Sequence, residues 1–266
     1  ALTTGLRDYV HKNGLAKIAL GLSGGIDSAL VAAVAADALG PENVMAISMP
    51  SKFTSDDSKT DAEQLAENFG INFSEIAIGD LYNTYIDALT PLFGDREADL
   101  TEENLQARIR GTLLMGYSNK FGALILTTGN KSEYSTGYCT LYGDMVGAVA
   151  VIKDVPKLLV YELCRHRNNV AGYDIIPRNI LTKEPSADLR PDQKDTDSLP
   201  PYEILDPIIE AYVERDLGFD EIVSMGYDRD TVQRVIRLTD INEYKRRQSA
   251  PGIKITARAF GKDQSL

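Results

Sequence analysis

Apolar and polar positions alternate along the first half of the chain in blocks that predict strands and helices in turn. Residues 1–13 read as a lead helix. Lys17-Ile18-Ala19-Leu20-Gly21-Leu22 is a short apolar run bounded by Gly and Ser chemistry, the mark of a buried strand. Behind Ser23-Gly24-Gly25, residues Ile26, Leu30, Ala33 and Val34 share one helical face, and Gly40-Pro41 closes that helix. Val44 to Met49 predicts a second strand. A polar stretch from Pro50 to Ser58 leads into a helix ending near Phe69-Gly70, and Phe73 to Ile78 predicts a third strand. Leu105, Ile109 and Leu113 stripe a long helix over Thr101 to Lys120, preceded by Asp99 and Glu102 at capping-box spacing. Ala123 to Thr127 predicts a fourth strand.

This succession predicts an α/β fold: one doubly wound, mostly parallel sheet with helices on both faces, in a single domain over residues 1–266. The segment from Lys183 to Pro201 is rich in Pro and Asp and poor in apolar residues, so it reads as a mobile loop or lid. From Leu205 onward the pattern is helical and then irregular.

Composition narrows the function classes. With 43% hydrophobic and 25% charged residues, the chain has the proportions of a globular protein. Its net charge of −11 argues against nucleic acid or an anionic membrane as partner, while leaving room for a local basic pocket. No apolar run approaches the roughly 20 residues of a membrane span, and the N-terminus lacks a signal-peptide pattern, so a cytoplasmic location is expected. The two cysteines, Cys139 and Cys164, lie far apart and form no CxxC, which removes disulfide frameworks and cysteine zinc sites.

In open α/β sheets the turn after the first strand is the usual ligand site. Here it reads Leu22-Ser23-Gly24-Gly25-Ile26-Asp27-Ser28. Two glycines let backbone N–H groups approach an anion, the next helix adds its positive end, and the Ser23 and Ser28 hydroxyls can donate to phosphate. Asp27 beside a phosphate would repel it unless a Mg²⁺ bridges the two. Neither GxxxxGK[ST] nor GxGxxG is present. His11 and His166 have no carboxylate or nucleophile in triad-like context, and Cys139 shows no partner for nucleophilic work.

The SGGIDS turn resembles the pyrophosphate-binding loop of the N-type ATP pyrophosphatases. Members of that superfamily adenylate a carbonyl-type oxygen, release pyrophosphate, and let a nitrogen or sulfur nucleophile displace AMP. Five further blocks follow in order: NLQARIR from Asn104, TTGNKSE with STGYCTLYGD from Thr127 to Asp144, KDVPK from Lys153, LRPDQKDTDSLPPY from Leu189, and YKRRQ from Tyr244. Together they resemble NAD synthetase over essentially the whole chain. The STGYCTLYGD and DSLPPY wording is closer to the synthetase half of the glutamine-dependent, two-domain members. Their glutaminase half has no counterpart in this sequence, so an isolated synthetase domain is favoured over a stand-alone ammonia user.

The resemblance implies ATP-dependent amidation of deamido-NAD by ammonia through a nicotinate adenylate. It implies that Gly21, Ser23, Gly24, Gly25, Ile26, Asp27, Ser28, Thr128, Lys157 and Ser186 hold ATP, and that Asp27 and Glu133 bind Mg²⁺. Lys157 would offset charge on the phosphates in the transition state. Arg108, Asp144, Tyr244 and Lys245 would contact deamido-NAD, with Asp144 also binding ammonium and helping to deprotonate it. Lys157 is expected in the first turn of a helix capped by Asp154, where a cation opposes the helix dipole. Ammonia-only members often carry a lysine where Leu141 stands, so part of the dinucleotide contact set differs here. A homodimer is the family's expected assembly. Two other readings stay open: another adenylating amidotransferase of the GMP synthetase type, and a non-catalytic adenine-nucleotide-binding module. The latter has no need of two carboxylates beside a triphosphate.

Overall fold

The lead helix buries Leu6 and Val10, and the first two strands follow from their apolar runs. In the computed structural model, which describes residues 1–260, they are α1 (Leu2–Lys12), β1 (Ile18–Gly21) and β2 (Val44–Ser48), with β3 (Asn72–Glu75) as the third strand. Between them lie α2 (Ile26–Leu39) and α3 (Asp56–Phe69). The order continues with α4 (Gly79–Phe93), α5 (Leu100–Phe121), β4 (Leu124–Thr127), α6 (Lys131–Thr136), β5 (Val149–Ala150), α7 (Lys157–Ala171) and α8 (Arg178–Thr182). Helices α9 (Tyr202–Ile209), α10 (Phe219–Ser224), α11 (Arg229–Ile241) and α12 (Glu243–Arg247) complete it.

The five strands are all parallel, in the order β3-β2-β1-β4-β5. The chain winds outward from β1 to β3, then returns to place β4 on the other side of β1. That reversal opens a crevice at the carboxyl ends of β1 and β4, where ligands bind in this architecture. The doubly wound parallel sheet expected from the sequence is thus observed, with two additions.

One addition is β5, a two-residue strand on β4 that also bridges Gly252 near the C-terminus. The other is α4. Third-strand pairing ends at Glu75, earlier than the run to Ile78 predicts, although the Ile76 and Ile78 N–H groups still donate to the Ser48 and Pro50 carbonyls at 2.8 and 2.9 Å.

Helix α2 is apolar nearly all round, and alanines from Ala29 to Ala38 bury it between α1, the sheet and α7. A second cluster built on Tyr202, Leu205, Ile208, Val232 and Val235 packs the C-terminal helices together. Helix α5 begins with the predicted capping box: the Asp99 carboxylate accepts from the Thr101 N–H, and Glu102 accepts from the Asp99 N–H. No helix among the described residues is long and apolar enough to cross a membrane.

Candidate active site

The loop after β1 is shaped by its own residues. Gly24 has φ +77°, and a Cβ there would lie 2.1 Å from the Ser58 carbonyl oxygen, so this position demands glycine. Gly25 starts α2 as N-cap with no capping side chain. The Ser28 hydroxyl donates to the Gly25 carbonyl at 2.9 Å, and the Ser23 oxygen accepts from the Gly25 N–H at 3.2 Å. Both serines therefore brace the loop from within, and Gly21 and Ile26 flank it on β1 and α2.

The loop after β4 stands across the crevice. Asn130 caps α6: its side-chain oxygen accepts from the Glu133 N–H, and the Glu133 carboxylate accepts from the Asn130 N–H, both at 3.0 Å. Glu133 therefore sits on the short helix α6. Thr128 is half-buried between β4 and that cap. The Asn130 amide also donates to Asp27 Oδ1 at 2.9 Å, which ties the two loops together.

Lys157 completes the group. It is buried, and its ammonium lies 2.5 Å from Asp27 Oδ2 and 5.4 Å from the centre of the Tyr202 ring. Burial pulls its pKa down, but the charges of Asp27, Glu133 and Asp195 outweigh that and hold the ammonium charged. The Glu133 carboxyl is pushed well above its ordinary range, by burial first and then by Asp27, against the pull of Lys157. Asp195 is a site residue that sequence reasoning missed. It sits in the segment 183–201, is buried, and accepts from the Tyr202 hydroxyl at 2.6 Å. Burial raises its pKa as well, with Lys157 opposing.

The expected cap of α7 is corrected. Its N-cap is Pro156, and Asp154 turns away to pair with the wholly buried Lys131 at 2.9 Å and to accept from the Ile255 and Thr256 N–H groups, both at 2.7 Å. Lys131 also meets Glu214 at 2.7 Å, so this lysine and aspartate clamp the C-terminal strap beneath α6.

The residues expected to contact the dinucleotide gather around the turn from Gly137 to Asp144. Arg108 Nε donates to the Leu141 carbonyl at 3.2 Å, and Lys245 donates to the Gly137 and Cys139 carbonyls, both at 2.7 Å. Tyr244, beside Lys245 on α12, is exposed. Asp144 Oδ1 accepts from the Thr140 N–H at 2.7 Å. Asp144 keeps an exposed edge, but protein crowded around it pushes its carboxyl up to about 6, against the Thr140 N–H and the Lys245 charge. The charges of Asp144 and Glu133 both act on the Cys139 thiol, so this turn adjoins the Lys157 group.

Ser186 lies within the segment 183–201, where its hydroxyl oxygen accepts from the Asp188 N–H at 3.0 Å. Asp188 in turn accepts from Ser58, the residue whose carbonyl packs on Gly24. The segment also lies along α5: the Gln106 amide donates to the Leu189 carbonyl at 2.8 Å, and Gln193 donates to Glu103 at 3.1 Å.

Known proteins resemble this chain in sequence and fold. The chain is 57% identical to the glutamine-dependent NAD(+) synthetase of Thermotoga maritima, over 99% of this chain and 46% of that protein. A structure of the glutamine-dependent NAD+ synthetase of Acinetobacter baumannii in complex with ADP matches with TM-score 0.68 and 50% identity, covering 99% of this chain and 48% of that one. The NH3-dependent NAD synthetase of Campylobacter jejuni matches with TM-score 0.72 and 27% identity, over 92% of this chain and 94% of that one. The chain spans about half the length of the curated relatives it matches. The sequence description of NAD synthase fits residues 1–249, and with it the chain belongs to the NAD synthase family.

Proposed function

We propose that this chain catalyses the ATP-dependent amidation of deamido-NAD to NAD, with ammonia as its direct nitrogen donor. The carrying observation is the joining of Asp27, Asn130, Glu133 and Lys157 across the β1–β4 crevice, two carboxylates and an ammonium behind a Gly-Gly turn. A nicotinate carboxylate is a poor electrophile. Its oxygen attacks the α-phosphorus of ATP, pyrophosphate leaves, and ammonia then attacks the carbonyl carbon of the adenylate, losing a proton as AMP departs. The protein's part is to position charge.

Gly21, Ser23 to Ser28 and Thr128 line the triphosphate, and Lys157 offsets charge that builds on the phosphates. Ser186 would join them from the segment 183–201 as a lid. Asp27 and Glu133 would hold Mg²⁺. The donor set fits: the charge of Asp27 raises the cost of charging Glu133, and a divalent cation would relieve it. Among the described residues no group of three or more His, Cys, Asp or Glu could by itself hold a metal ion, so phosphate oxygens and water would supply the remaining ligands. Bound there, the metal would neutralise phosphate charge. Arg108, Tyr244 and Lys245 bind the dinucleotide beside the turn that carries Asp144. With its carboxyl near 6, Asp144 is charged at neutral pH and can take a proton from ammonium.

Both cysteine thiols have pKa values pushed up mainly by burial, which suits neither to attack on glutamine and supports ammonia as the donor. The chemistry of two carboxylates beside a triphosphate disfavours a pure nucleotide binder. A homodimer is supported by α4, which packs beside α5 and carries Leu81, Tyr85 and Leu92 outward with no residue fully buried. The test is NAD formation by the purified chain with ATP, Mg²⁺ and deamido-NAD, comparing ammonium with glutamine and adding a chelator. Turnover with ammonium and Mg²⁺ is expected. Binding of ATP without NAD formation from ammonium would overturn the reading in favour of another adenylating enzyme.

A further inference from the structure

Helix α7 begins where a helix should not begin unaided. Its N-cap is Pro156, which has no side-chain oxygen, and its first residue is Lys157, a cation at the positive end of the dipole. The start is also buried, so the orphan N–H groups of the first turn need protein partners. Two other elements supply them. The Lys157 N–H donates to the Ser132 hydroxyl oxygen of α6 at 3.0 Å, and the Leu158 N–H donates to Asp206 Oδ2 of α9 at 2.9 Å. Ser132 closes the circuit by donating its hydroxyl proton to Asp206 Oδ1 at 2.5 Å.

We infer that Asp206, acting through Ser132, is a positioning residue that sets Lys157 against Asp27 and Glu133. This inference rests on the reading of Lys157 as the ammonium that neutralises the phosphates. Each oxygen of Asp206 takes one donor, so the carboxylate has one orientation. The carboxylate faces the α7 N-terminus, and although burial pushes its pKa up, the Leu158 N–H, Ser132 and the Lys157 charge all favour its charged form. Ser132 is the chain neighbour of Glu133, so the circuit fixes the offset between α6 and α7 and with it the spacing of the two charged side chains. Helix α9 also supplies Tyr202, whose ring lies beneath the Lys157 ammonium. A cap that stabilised α7 alone would need no link to α6. Here the link runs through the residue beside Glu133.

Asp206→Asn keeps the volume but loses the charge and one acceptor, and Ser132→Ala removes the bridge. The experiment measures kcat and KM for ATP and deamido-NAD in both variants and the double variant, with amide hydrogen exchange at Lys157 and Leu158. Each single variant is expected to lower kcat by about 10–100-fold, since a misplacement on the order of 1 Å can cost that much. KM values stay within about 3-fold, and the double variant is no slower than the worse single, because both changes break one unit. Exchange at the two amides speeds up. Unchanged kcat with a lower melting temperature would overturn the inference and leave Asp206 a structural cap, as would strictly additive losses. Ser132→Ala carries the test alone if Asp206→Asn does not fold. If the unaltered chain binds ATP but forms no NAD, the functional reading fails. The amide exchange then decides the circuit by itself, and unchanged exchange in both variants overturns it.

Discussion

Replacing Lys157 by Met probes the centre of the site. The ammonium is 2.5 Å from Asp27, with side-chain exposures of 4% and 17%, so solvent does little to screen the pair. Removing one member of a buried pair leaves the other uncompensated, at a cost of about 3–5 kcal/mol. Taking a cation from the first turn of α7 returns about 0.3–1 kcal/mol of helix-dipole energy. The pair term wins, and a net loss of about 2–4 kcal/mol at neutral pH lowers the melting temperature by roughly 5–15 °C for a chain of this size. The loss should shrink in acid. Glu133 already has its folded pKa raised above its unfolded one, and without Lys157 the rise is larger. Between those two pKa values the folded state binds more protons than the unfolded state. Stability is therefore gained as pH falls through the folded pKa toward the ordinary carboxylate value, and lost as pH rises. Thermal melts of both proteins from pH 5 to 8 read the difference directly. Equal melting temperatures at pH 8, or a gap that does not narrow toward pH 5, would refute the claim that Lys157 compensates these carboxylates. NAD formation by the variant should fall by about 10²–10³-fold in kcat, the effect of losing one preorganised charge partner.

Three further outcomes are expected. Gly24→Ala should abolish ATP binding measured by calorimetry, because a Cβ at φ +77° would meet the Ser58 carbonyl oxygen at 2.1 Å and the loop must move; binding at unaltered affinity would contradict this. Asp144→Asn should lose most ammonium-dependent turnover, and in the unaltered chain kcat at saturating ammonium should fall as pH drops through about 6, where the Asp144 carboxylate takes up a proton. Full turnover by the variant would remove Asp144 from nitrogen activation. Tyr85→Asp with Leu92→Asp on α4 should shift sedimentation from dimer to monomer, whereas an unchanged profile would place the interface elsewhere.

The elements around the site were legible because each has a local cause. The strand from Ile18, the Gly-Gly turn and the capping box of Asp99 and Glu102 depend on residues adjacent in sequence, and the structure forms all three. Helix α4 was not legible as part of the fold: Tyr82, Ile86, Leu89 and Phe93 share a face that is only half-buried, Tyr82 against the cluster of Ile78 and Ile109, and no residue of the helix is fully buried. Strand β5 is two residues long, too short for any periodicity, and exists because β4 and the segment at Gly252 flank it. Glu133 could be tied to function by its motif, yet its helix is a single turn and a half whose cap, Asn130, is shared with Asp27.

The sequence by itself determined the sheet type, the Gly-Gly turn after β1 and the identity of the charged residues, because these follow from short-range patterning and from motif wording. Tertiary structure decided which charges meet. Asp27, Glu133, Lys157 and Asp195 come from four separate stretches of chain, and only the reversal between β1 and β4, with the 183–201 segment folded against α5, brings their charges together. It also decided how α7 starts: Asp154, near in sequence, is taken by Lys131, and Asp206, distant in sequence, takes its place. A helix end accepts any acceptor that geometry delivers, and distance along the chain does not enter that choice.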